Sequence, residues 1–139
     1  VVRLDGVGGM TYFVKRGDEP IRPVIFVKIG GGSGKREDIK TAVKELSLLH
    51  ELGHVDDFIK QINIKEDAQN DPVAAELYAH NFACKEMLGR GLKLAMKVYL
   101  TQAIPQFAAV GCEANRQAAQ MFQSSREFKT YLAFCADAR

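Results

Sequence analysis

Two histidines four residues apart, His50 and His54, with a glutamate directly after the first, constrain this chain more than any other feature. They lie in the stretch Leu48-Leu49-His50-Glu51-Leu52-Gly53-His54-Val55. On an α-helix, positions i and i+4 share a face, so a single turn can aim both imidazoles at one metal ion. Glu51 sits one step round and can reach a water in the metal's open position. The spacing therefore calls for a helix. Upstream, Ile39, Ala42, Val43, Leu46 and Leu49 recur at three- and four-residue steps, which gives that helix one buried stripe. Gly53 is a costly helix filler, about 1 kcal/mol worse than Ala, and makes sense if another segment passes close to the helix there. Glu37 and Asp38 suit the positive end of the helix dipole, and the helix is expected to run from there to about Lys60.

Two imidazoles hold a catalytic zinc poorly, so a third protein ligand is needed. The best candidate is Glu76, in Pro72-Val73-Ala74-Ala75-Glu76-Leu77-Tyr78-Ala79-His80-Asn81-Phe82-Ala83. Ala75, Ala79, Phe82 and Ala83 form an apolar stripe, and a glutamate beside it turns inward at a cost unless it is paired. Asp57, three residues after His54, is a rival ligand on roughly the same face. Asp56 or Asp57 could instead accept a hydrogen bond from a ligand imidazole. Pro72 fits a first helical turn, and Gly89-Arg90-Gly91 ends this second helix after about Leu88. His80 is one turn beyond Glu76, where it could also be a ligand, and reads first as a surface residue; Tyr78 reads first as core. Either is a candidate donor to a developing oxyanion.

Residues 1–29 have the composition of strands. Met10-Thr11-Tyr12-Phe13-Val14-Lys15 is β-branched and aromatic, Arg16-Gly17-Asp18-Glu19-Pro20 is a turn, and Val24-Ile25-Phe26-Val27-Lys28-Ile29 reads as a second, more buried strand. The edge of such a sheet could align an extended peptide by main-chain hydrogen bonds. Gly30-Gly31-Gly32-Ser33-Gly34-Lys35 invites a phosphate-loop reading but fails it. That pattern wants Gly where Ile29 stands and Ser or Thr where Arg36 stands, so residues 30–36 are expected to be a flexible loop bordering the cleft.

After a polar connection over residues 61–71, the C-terminal part reads as helices without chemistry of their own. Leu94, Met96, Val98, Tyr99, Leu100, Ile104 and Phe107 supply one apolar pattern, which Pro105 should kink or interrupt. Ala118, Met121, Phe122, Phe128, Tyr131, Leu132 and Cys135 supply another over residues 113–136, with a break expected at Ser124-Ser125.

The chain's 139 residues, 47% of them apolar, suffice for one domain with one core. A net charge of +2 is too small to argue for nucleic acid, a membrane or a strongly acidic substrate, and no nucleic-acid or membrane partner is expected. Cys84, Cys112 and Cys135 form no CxxC pair and read as small buried residues in a reducing compartment. No apolar run approaches the ~20 residues of a membrane span, and no signal peptide is visible. A start at Val1 rather than Met is expected of a processed end or of a piece of a longer chain.

The HELGH and ELYAHNFA stretches together resemble the zincin metallopeptidases, specifically gluzincins whose third ligand is a glutamate on a following helix. The chain is most similar to the ImmA/IrrE-type peptidases, which pair an HExGH helix with an E-x-x-A-N-x-F-A motif. Glu76, Ala79, Phe82 and Ala83 match that second motif, while His80 stands where it has Asn. The resemblance covers about residues 23 to 88. It implies an α+β, minimal zincin-like domain, with a short N-terminal sheet, an active-site helix and a C-terminal helical part. It also implies Zn2+ on His50, His54 and Glu76, Glu51 as general base, and a protein or peptide substrate. In that family the substrates are helix-turn-helix repressors. Compact HELGH domains are also similar to effectors or toxins delivered into other cells, so a cytoplasmic setting is expected in the producing or the target cell. A zincin scaffold that only holds a partner is the expectation from a different class.

Overall fold

In the computed structural model, residues 2–4, 9–27, 37–66 and 70–138 are described. A short antiparallel sheet precedes an array of helices, an α+β arrangement with helix dominant. Strands β1 (Val2–Leu4), β2 (Gly9–Val14) and β3 (Arg22–Val27) pair in chain order, with Thr11 opposite Val2 on one side and Ile25 on the other. The turn from β2 to β3 closes where expected, with Glu19 N–H bonded to Arg16 O and Gly17 at φ +55°.

The sheet corrects one expectation. β3, expected to be the more buried strand, lies at the sheet edge, and Val24 and Phe26 are exposed. Pro23 falls inside it, which an edge strand tolerates because one side of its backbone has no ladder to feed. The buried position belongs to the central strand, where Thr11 is fully enclosed. The glycine-rich loop over residues 30–36 lies outside the described residues.

Helix α1 (Glu37–Lys60) and helix α2 (Pro72–Arg90) form the next layer. Asp71 caps α2 by accepting from Ala74 N–H, Pro72 occupies its first turn, and Gly91 closes it at φ +69°. Three further helical segments cover this pair. α3 (Lys93–Val98) continues into α4 (Ile104–Val110) through a widened π turn at Tyr99–Ala103, where Ile104 N–H reaches back five residues to Tyr99 O. Pro105 has no N–H to give Thr101 O and crowds that carbonyl, so a local widening replaces the expected kink. α5 (Glu113–Gln123) and α6 (Arg126–Cys135) follow, divided at Ser124-Ser125, with the Ser125 hydroxyl capping α6 at Phe128 N–H.

The main core joins Leu46 and Leu49 of α1 and Met87 of α2 to Tyr99, Leu100, Ile104, Phe107 and Phe122. A smaller cluster of Phe58, Ile64 and Ala75 packs beneath Phe13 of β2 and ties the sheet to α1. Met121, expected inside, is instead exposed, and of the three free cysteines only Cys84 and Cys135 are buried. No described helix is long and apolar enough to cross a membrane.

Candidate metal centre

Helix α1 presents His50, Glu51 and His54 from one buried turn, and the close approach foreseen at Gly53 is where α2 reaches them. A Cβ on Gly53 would lie 2.9 Å from Ala79 Cα and 3.2 Å from Phe82 Cβ. Only a residue without a side chain admits α2 at this distance. Ala79 is one turn beyond Glu76 on α2, so the same contact carries the Glu76 carboxylate to the histidine pair.

Three ligand-type atoms converge there. His50 Nε2 lies 3.2 Å from His54 Nε2 and 3.2 Å from Glu76 Oε2, and the His54–Glu76 separation is 3.6 Å. Ligand atoms bonded to a tetrahedral zinc at 2.0–2.1 Å lie roughly 3.3–3.4 Å apart, so this triangle has the dimensions of one face of such a site. His50, Glu51 and His54 also offer one ligand atom each within 4.8 Å of one another, a group that could hold a metal ion. Glu76 completes the tighter set. The Glu51 carboxylate is engaged from the side, where Thr11 of β2 donates its hydroxyl to Oε2.

Burial shapes the charges. His50, Glu51 and His54 have no exposed surface, and Glu76 is 3% exposed. Desolvation lowers the His50 pKa, and the adjacent Glu76 carboxylate only partly offsets it. For Glu76, burial alone would raise the pKa, but the two imidazoles set against the carboxylate outweigh it and hold the carboxyl well below the usual range. Glu51 moves the other way. Desolvation pushes it up to about 7, against the pull of the Thr11 hydroxyl and of His54. Its second oxygen, Oε1, is buried with no hydrogen-bond partner among the described residues. A carboxylate so placed is poised to exchange a proton near neutral pH.

Behind His50 lies a polar line that sequence reasoning missed. His50 Nδ1 meets Tyr99 Oη at 2.6 Å, Tyr99 Oη meets His80 Nδ1 at 2.5 Å, and His80 Nε2 meets Asn115 Oδ1 at 2.9 Å. His80 is fully buried, contrary to the expectation of a surface residue, and is stacked between Phe107 and Phe122. That enclosure lowers its pKa to about 3, and burial raises that of Tyr99 well above 10, so both stay neutral. Tyr99 and Asn115 come from segments expected to carry no chemistry. In the sequence Tyr99 looks like a core position and Asn115 carries no signal, and only the fold shows what they touch. Thr11 was more legible: it alternates with Tyr12 and shares a strand face with Phe13, which packs on Phe58 of α1.

The remaining candidates sit elsewhere. The Tyr78 hydroxyl donates to Asp56, which also pairs with Lys60 at 3.0 Å, beside an open groove of about 800 Å3 lined by Phe82, Lys85 and Met121 among others. Asp57 accepts from Asn63 N–H at 2.6 Å and Ile64 N–H at 3.2 Å, so it fastens the loop after α1 and is no rival to Glu76. Neither expected oxyanion donor faces the triangle: the Tyr78 proton goes to Asp56, and both His80 nitrogens are engaged on the far side of His50. No protein-family model, curated protein or solved structure matches the chain.

Proposed function

We propose that this chain is a zinc-dependent peptide hydrolase of zincin-like fold, with His50, His54 and Glu76 as the metal ligands. The observation that carries this reading is the triangle of ligand atoms with sides of 3.2, 3.2 and 3.6 Å, assembled from two helices and enclosed by protein. Two imidazoles and one carboxylate form a borderline-soft donor set that suits zinc and leaves a fourth position free. When bound, zinc supplies Lewis acidity, polarising a carbonyl and bringing the pKa of water toward ~7.

The chain's own groups do the rest. Thr11 fixes Glu51 through Oε2, which leaves Oε1 to take a proton from the attacking water and return it to the departing amine. In the metal-free chain burial raises the pKa of this carboxyl to about 7. Among the described residues the edge strand β3 has a strand neighbour on one side only, which suits an extended peptide as substrate.

Metal analysis of protein purified without added zinc, together with peptide cleavage by wild type and Glu51→Gln, tests the reading. One zinc per chain in both proteins, with cleavage lowered ~10²–10⁴-fold in the variant, is the expected result. Equal cleavage by the two proteins would overturn the role of Glu51. The complete burial of His50, Glu51 and His54 favours one other reading, a metal that holds the fold together and serves partner binding. Full zinc occupancy with no cleavage, and unfolding on chelation, would select it.

A further inference from the structure

The polar line behind His50 has a direction, and the direction follows from what each group can donate. Asn115 presents its carbonyl oxygen to His80 Nε2, and a carbonyl oxygen only accepts. His80 Nε2 must therefore carry the ring proton. Enclosed between Phe107 and Phe122, with no carboxylate among its hydrogen-bond partners, the ring is neutral and its Nδ1 is a lone pair. That lone pair takes the single hydroxyl proton of Tyr99. The Tyr99 oxygen, its proton spent, can only accept from His50 Nδ1, 2.6 Å away. His50 then holds its proton at the rear and turns an unprotonated Nε2 toward His54 and Glu76.

We infer that Asn115, His80 and Tyr99 are positioning residues that fix His50 in the tautomer able to ligate a metal through Nε2. The inference rests on the metal-site reading above and names the device that supports it. Three polar side chains, each no more than 1% exposed, are an expensive way to fill a core that Phe and Leu could fill. Their bonds run in series from the Asn115 carbonyl to a metal-site imidazole, and only the Asn115 Nδ2 group is left without a partner among the described residues. The contrast with the second histidine supports this assignment: His54 Nδ1 has no partner among the described residues, so the line serves His50 alone. Reversing every proton in the line would put a hydrogen on His50 Nε2, facing the other two ligand atoms and blocking ligation.

The test reads the protons directly. Long-range nitrogen–proton NMR of the histidine rings, on the metal-free whole chain at neutral pH, should show His50 wholly in the Nδ1–H form and His80 wholly in the Nε2–H form. In Tyr99→Phe, His50 should become a mixture of tautomers, and zinc affinity measured by competition with a chelating dye should fall about 10–100-fold. Asn115→Asp keeps an acceptor and should hold zinc within about threefold of wild type, whereas Asn115→Leu should weaken it about tenfold or more. That pair decides the matter if Tyr99→Phe does not fold. An Nε2–H tautomer for His50 in the wild-type protein overturns the inference, as does a folded Tyr99→Phe that binds zinc within twofold. If the wild type takes up no zinc, the metal reading fails, while the ring spectra still decide the direction of the line.

Discussion

Two polar clusters lie along the α1–α2 pair, and they use similar residues to opposite ends. At one end His50, His54 and Glu76 meet with almost no exposed surface, and Tyr99 stands behind them. At the other, Asp56, Lys60 and Tyr78 meet beside an open groove, with the Lys60 side chain 57% exposed. Each cluster contains a carboxylate and a tyrosine hydroxyl held by hydrogen bonds. What differs is the dielectric. In the groove water screens the ion pair, and its net contribution is small. In the enclosed cluster every unpaired atom carries its full desolvation cost, so the groups must pair or ligate. Residue type made Tyr78 and Tyr99 look alike, and burial separates them.

Changes at Gly53 should break the comparison most visibly, because that position sets the helix separation at the enclosed end alone. Gly53→Ala should push α2 away from α1, weakening zinc binding by about tenfold. Overpacking of about 1–3 kcal/mol is offset there by about 1 kcal/mol of helix propensity, so the stability change should be the lesser effect. Zinc competition beside denaturant unfolding checks both. An unchanged affinity would mean that the Gly53–Ala79 contact does not set the site.

Acid should sharpen the contrast next. Burial holds His80 neutral down to about 3 and also lowers His50, whereas in the unfolded chain a histidine takes up a proton near 6.5. The unfolded state therefore binds more protons as pH falls, and metal-free protein should lose stability progressively below about pH 6.5. Glu51, raised to about 7, takes up a proton in the folded chain over the same range and offsets one of the two histidines. The net slope should therefore reach about 1.4 kcal/mol per pH unit, and His80→Gln should flatten it. Urea midpoints between pH 7.5 and 5 measure this. A flat profile would mean that the histidines are not enclosed in solution.

The smallest effect belongs to the groove. Tyr78→Phe removes the bond to Asp56 without touching the triangle, so zinc affinity should stay within twofold and Tm should move by less than about 3 °C. A large loss of cleavage in that variant, with zinc retained, would restore Tyr78 as a transition-state donor and bring the two clusters into one site.

Legibility in the sequence tracked how local each feature was. The span of α1, the first turn and stop of α2, and the break at Ser124-Ser125 rest on periodicity and terminal residues within a few positions of one another. Even the glycine signal was readable, because a residue costly in a helix asks for a packing reason. β3 was misjudged because an apolar run looks alike in a central and an edge strand, and only its neighbours distinguish them. His80 was misjudged for a related reason: α2 is covered on the far side by helices whose placement no local rule dictates.

By itself, then, the order of residues settled which side chains can share a helical turn, since 3.6 residues per turn is a property of the backbone. That was enough to nominate His50, Glu51, His54 and Glu76. Packing alone brought Thr11 to Glu51 across 40 positions and Tyr99 to His50 across 49. Contacts that distant depend on how whole helices and strands settle against each other, and they determine which atoms of those four residues are hydrogen-bonded and which have no partner among the described residues.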